Sequence, residues 1–261
     1  MSVIVVRVLT RSKILLVAVL LVTANCLRAA DFAITPVADA FVTTGSTNQF
    51  IGNNFGAAGS MAIAAGGLPQ GEFQNVMKFD LSGVSAAFDA QFGAGQWTVQ
   101  SVRLQLTSSP HGNPIFNQIA PGSFGISWMQ NDSWIEGTGT GGIPTTDGIS
   151  FSSLQNTYIN NVNDQALGTF SFPGGDSGVN VYELTLTPGL LADIQSGGLL
   201  SLRLFAEDDE VSYLFSSRST GSAANRPTLI ITVPEPSATA LAIIGGVMLA
   251  MFRRVRRARL T

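Results

Sequence analysis

Between residues 31 and 233 the chain sustains no helical rhythm: short runs rich in Val, Ile, Thr and aromatic residues alternate with clusters of Gly, Asn, Ser and Pro. Such runs bury an apolar face by pairing side by side, and the turn clusters let the chain reverse after each one. The pattern predicts ten strands, at 38–43, 60–64, 75–80, 98–107, 124–130, 167–172, 179–185, 199–206, 211–217 and 228–233. Strands of this number and spacing point to an all-β fold, an antiparallel β-sandwich of jelly-roll-like type. Val102, Leu104 and Leu106 alternate with Arg103, Gln105 and Thr107, as in a strand with one dry and one wet face. Val181, Leu184 and Leu186 nearly repeat the pattern, and the break of phase at Glu183 predicts a bulge. One helix is expected at 188–195, capped by Thr187, opened by Pro188 and stopped by Gly197 and Gly198, with a second helical turn at 85–92. No linker divides 31–233, so the segment reads as a single domain, long enough for one sizeable core.

Both flanks differ in kind from this domain. Arg7, Arg11 and Lys13 precede an apolar run from Ile14 to Val22, and small residues follow from Ala24 to Ala30. Residues 1–30 therefore read as a secretory signal peptide, the apolar run being too short for an anchor. At the other end, Pro234 and Pro236 forbid continuation of a strand, so the domain is expected to stop there. An uncharged run from Ala238 to Phe252 comes next, then Arg253, Arg254, Arg256, Arg257 and Arg259. As a helix the run spans only about 23 Å of a hydrocarbon core roughly 30 Å thick. The arginines would hold the C-terminus in the cytoplasm and place the domain across the membrane. This order within residues 234–261, Pro234-Glu235-Pro236, apolar span, arginine cluster, resembles the PEP-CTERM sorting signal of Gram-negative bacteria. The resemblance implies an exosortase-type membrane protease as partner, anchoring through the C-terminal helix before processing, and delivery to the cell surface or an exopolysaccharide matrix.

Charge narrows the partners. Residues 31–233 hold five basic and sixteen acidic side chains, a net charge of about −11 that argues against nucleic acid and polyanionic ligands. The lone cysteine, Cys26, lies in the leader, so the domain has neither disulfide nor thiolate chemistry.

Several fragments in order resemble the DNRLRE-type β-sandwich, a domain related to a carbohydrate-binding module family. They are Ala38-Asp39-Ala40-Phe41-Val42, Asn54-Phe55-Gly56, Met77-Lys78-Phe79-Asp80-Leu81, Val102-Arg103-Leu104-Gln105-Leu106, Trp134-Ile135-Glu136-Gly137, Phe215-Ser216-Ser217-Arg218 and Arg226-Pro227-Thr228-Leu229-Ile230-Ile231. Phe151 stands where relatives often carry Trp, and Ser219 where an acid often follows the Ser-Arg pair. The resemblance implies the sandwich and association with polysaccharide.

Sugar binding uses exposed aromatic faces with a few amide or carboxylate hydrogen bonds. Trp97 and Trp128 border or occupy a strand and suit a core, whereas Trp134, between Asp132 and Glu136 in a glycine-rich loop, is the first place to look for a sugar platform. The acidic turn Glu207-Asp208-Asp209-Glu210 offers Asp208 and Asp209 as weak candidates for a structural calcium, and 160–164 is a second oxygen-rich loop, although charged turns more often serve solubility. His111 is the sole imidazole, without an activating context, and zinc ligands are lacking, so neither a catalytic residue nor a required cofactor is expected. The expectation is an exported, non-catalytic surface or matrix protein that associates with exopolysaccharide. The alternatives are a purely structural, self-associating envelope component and a polysaccharide-active hydrolase or lyase using Asp132 and Glu136.

Overall fold

Strand β5 (Ser101–Thr107) alternates as its sequence requires, with Val102, Leu104 and Leu106 fully buried and Arg103 and Gln105 half-exposed. The computed structural model to which it belongs describes residues 29–109, 116, 121–175 and 178–234. The expected leader up to residue 28, His111, Glu235, Pro236, the apolar run from Ala238 and the terminal arginines lie outside the described residues. Among the described residues no helix is long and apolar enough to cross a membrane.

The remaining strands are β1 (Ala30–Ile34), β2 (Ala38–Thr43), β3 (Ser60–Ala64), β4 (Phe73–Asp80), β6 (Gly122–Met129), β7 (Gln165–Phe172), β8 (Val179–Leu184), β9 (Leu199–Ala206), β10 (Ser212–Ser216) and β11 (Thr228–Val233). They form two antiparallel sheets. The smaller runs β1-β11-β5-β8; the larger runs β10-β3-β4-β9-β6-β7, with β2 also on β4. From β4 onward the chain passes back and forth between the sheets, β5 in the small one, β6 and β7 in the large, β8 in the small, β9 and β10 in the large and β11 in the small. The fold is thus mostly β, as expected.

The two inner faces share one core. Val102, Leu104, Tyr182, Leu184, Leu229 and Ile231 of the small sheet meet Met77, Phe79, Phe124, Ile126, Leu202, Leu204 and Tyr213 of the large one. Helices α1 (Val84–Phe92) and α3 (Pro188–Ser196) add Phe88, Leu190 and Ile194 to the same core. The large sheet is also dry on its outer face, where Ala40, Val42, Val76 and Met129 are covered by Trp134, Ile149 and Leu154. This is why β4 is buried over nearly its whole length: an apolar outer face needs a cover, and the excursion from Gln130 to Asp164 supplies it. The excursion carries a short helix, α2 (Phe151–Ser153), that runs on into a π-helical turn at Leu154–Tyr158.

Three local expectations change. Strand β1 was not anticipated; it pairs Ala30 with Val233 and Ile34 with Leu229 along the edge of the small sheet. Strand β8 has no bulge: it pairs with β5 in unbroken register, turning Tyr182 and Leu184 inward and leaving Val181 exposed. The inward phase is set by Tyr182, whose hydroxyl lies 3.4 Å from that of Tyr213 inside the core. The irregularity sits instead between β6 and β7, where the register slips after Ile126 and Gly168 adopts φ 142. Thr187 holds the expected place before α3, but its hydroxyl makes no capping bond and is buried without a partner among the described residues.

Candidate functional site

Four side chains far apart in sequence meet where the excursion folds back onto β2. Asp39 lies in β2, Asn54 in the loop after it, Glu136 two residues beyond Trp134, and Arg218 just past β10. The Arg218 guanidinium grips Glu136 at two points, Nε donating to Oε1 at 2.6 Å and Nη2 to Oε2. Planar guanidinium and planar carboxylate match in this fork, which adds direction to the charge attraction. The same Glu136 Oε1 accepts the Asp39 backbone N–H at 3.0 Å, and Asp39 Oδ2 accepts the Arg218 backbone N–H at 2.6 Å.

Asn54, fully buried, uses its whole amide. Its Nδ2 donates to the carbonyls of Glu136 at 2.6 Å and Ile149 at 2.8 Å, while Oδ1 accepts the N–H groups of Gly56 at 3.1 Å and Gly139 at 3.2 Å. The close approach needs glycine: a Cβ on Gly139 would collide with the Asn54 carbonyl, and Gly137 adopts φ 77. Backbone pairing between Asn54 and Thr145 and between Ala57 and Gly139 completes the seam.

Asp39 is the electrostatic oddity. It has no exposed surface, its Oδ1 finds no hydrogen-bond partner among the described residues, and burial pushes its pKa up to about 7. The Arg218 N–H opposes that rise, while the Glu136 charge reinforces it. Arg218 itself is pushed above its ordinary value, chiefly by its bonds to Glu136. Gripped by Arg218 at both oxygens and accepting the Asp39 N–H, the Glu136 carboxylate pins the excursion to β2.

The sugar platform expected at Trp134 is not there. The indole is 1 % exposed, its Nε1 donates to Ser201 Oγ at 2.9 Å, and Lys78 Nζ sits 4.4 Å from the ring centroid while donating to the Trp134 carbonyl at 2.6 Å. The outer face of the large sheet has claimed the ring as its cover, so neither indole face meets solvent. Phe151 packs in the same cluster. Trp128 is buried as expected, its Nε1 donating to Asp193 at 2.6 Å, and the half-buried Trp97 packs on Phe88.

Asp132 is half-buried and lines an open cleft, and burial raises its pKa against the pull of Ser201 and Lys78. Asp208 is committed to the turn, accepting backbone N–H groups from Glu210 at 3.0 Å, Val211 at 2.8 Å and Ser123. Asp209 is exposed beside it. Among the described residues no three His, Cys, Asp or Glu side chains gather to hold a metal ion. In the 160–164 loop the Asp164 carboxylate likewise accepts backbone N–H groups, from Gln130 and Asn160, both at 2.9 Å.

No family model matches the chain, and no curated protein matches it.

Proposed function

We propose that this chain is an exported cell-surface or extracellular-matrix protein of a Gram-negative envelope, a non-catalytic jelly-roll sandwich that associates with exopolysaccharide. In this scheme the tail anchors it in the inner membrane through the 238–252 helix, until an exosortase-type protease acts at Pro234-Glu235-Pro236. The carrying observation is the convergence of Asp39, Asn54, Glu136 and Arg218, each from a separate fragment of the DNRLRE-like pattern, at one hydrogen-bonded junction. Fragments that resemble a family by chance have no reason to meet in space. The alternation of strands between sheets from β4 onward supports the jelly-roll topology. The pairing of Ala30 with Val233 supports the division of the chain, because leader and tail then leave the sandwich side by side. Co-sedimentation of the protein with the exopolysaccharide of its own cell, backed by a glycan array, tests the association; absence of binding to every glycan removes it.

A self-associating structural role is favoured by one feature, the outermost strand of the small sheet among the described residues, β8, where Val179 and Val181 are 53 % and 51 % exposed. Sedimentation of the Val181→Lys variant discriminates: loss of oligomers without loss of glycan binding supports the structural role.

A further inference from the structure

The open cleft that Asp132 lines has a volume of about 690 Å³, within the roughly 300–1,000 Å³ usual for small-ligand sites. One wall is the segment after β6, with Gln130, Asn131 and Asp132; the other runs from the end of the π-helical turn at Tyr158 through Asn160 and Asn161. Side chains tie the walls together. Gln130 Oε1 accepts from Asn160 Nδ2 at 3.0 Å and Asn163 Nδ2 at 2.9 Å, and Asp164 holds backbone N–H groups of both walls. Tyr158 is half-buried because its ring packs against the cluster around Trp134, and the Ile159 N–H closes the π turn on the Leu154 carbonyl at 3.0 Å. Turns of this kind recur at functional sites, where the extra residue re-aims a side chain. The result is a cleft with a fixed aromatic flank and amides on both sides.

Its chemistry selects among glycans. The lining contains no Lys or Arg, and its single acid is Asp132, whose Oδ1 is buried out of a ligand's reach. The surrounding domain carries about −11 and the lining supplies no cation of its own, so a uronate or sulfated chain meets net repulsion. Amides present a donor and an acceptor together, matching vicinal hydroxyls, and a tyrosine ring matches the CH face of a sugar. Among the described residues Asn161 makes no side-chain hydrogen bond within the protein, and the Asn131 amide uses only its oxygen, on Ser133.

We propose that this cleft binds a neutral, hydroxyl-rich glycan segment, with Tyr158 as the stacking face and Asn131 and Asn161 as its hydrogen-bond partners. The proposal rests on the reading that the sandwich associates with polysaccharide, and names where and what class.

The full chain in detergent is titrated with three neutral polysaccharides, laminarin, dextran and galactomannan, with two uronate-rich ones, alginate and polygalacturonate, and with its own cell's exopolysaccharide. The expected result is retention by at least one neutral polymer and by neither uronate, with a tenfold or greater weakening in Tyr158→Ala and Asn161→Ala. Asn161 is exposed, so its variant carries the test if Tyr158→Ala fails to fold. Unchanged neutral-glycan binding in the variants overturns the cleft and leaves polysaccharide association standing. Preference for a uronate overturns the ligand class. Binding to nothing overturns both.

Discussion

Replacing Asp39 by asparagine removes an ionisation without removing a shape, which makes it a clean probe of the buried junction. The carboxyl ionises at 3.8 in the unfolded chain and at about 7 when buried. Between those values the folded protein holds a proton that the unfolded chain has shed, so stability falls as pH rises through the window and the loss is complete above about 7. At about 1.4 kcal/mol per pH unit, a window of roughly three units amounts to about 4 kcal/mol. For a domain of about two hundred residues that corresponds to roughly 10 °C in Tm. In the Asp39→Asn variant the amide oxygen replaces Oδ2 as acceptor for the Arg218 N–H, and the amide nitrogen takes the place of the partnerless Oδ1. Urea unfolding of wild type and Asp39→Asn is followed from about pH 3 to about pH 8.5, a range that brackets the window. The variant is expected to lose most of the downward slope and to exceed wild type in stability at the alkaline end, while Asp39→Ala, which orphans the Arg218 N–H, is equally flat and lies about 1–3 kcal/mol below Asp39→Asn at every pH. Parallel pH profiles for wild type and Asp39→Asn would refute the reasoning, because Asp39 would then not be the group that titrates.

Further predictions concern the seam and the acidic turn. Asn54→Ala deletes four hydrogen bonds of a buried amide; a loss of at least about 3 kcal/mol is expected, with a red shift in tryptophan fluorescence as water reaches Trp134. Trp134→Ala should cost about 3–5 kcal/mol, measured by thermal unfolding, because it opens a cavity against the outer face of the large sheet. Glu136→Gln removes the charge opposite Arg218 and is expected to destabilise the protein, with salt narrowing the difference from wild type. Asp208→Ala should lower Tm by the same amount with calcium or with a chelator, since the carboxylate serves backbone N–H groups of its own turn.

What was legible in the sequence followed from local physics. The dry and wet alternation of 102–107, the αL stop at Gly197 and the turn clusters between strands each act over a few residues, and the strands and α3 lie where those signals put them. Strand β1 escaped because Ala30–Ile34 is an edge strand without a buried residue, adjoining a small-residue run that reads as a cleavage region. The phase of β8 escaped because Tyr182 is as suited to water as to a core until Tyr213 is opposite it. Trp134 misled for a physical reason: a glycine-rich, acidic loop looks solvated, and only the second apolar face of β4 and β2 demands that it lie down as a cover. The Asp39, Asn54, Glu136 and Arg218 junction was visible as separate motif fragments, but no spacing in sequence encodes their meeting. The cleft flank at Tyr158 left even less trace, since a π turn has no pattern of its own.

The most direct test of the central claim is the intact mass of the chain recovered with the cell's extracellular polysaccharide. A product that begins near Ala30 and ends near Pro234, held by the polysaccharide fraction, is the predicted result. Recovery of all 261 residues from the cytosol, with no shortened form in envelope or matrix, would contradict it.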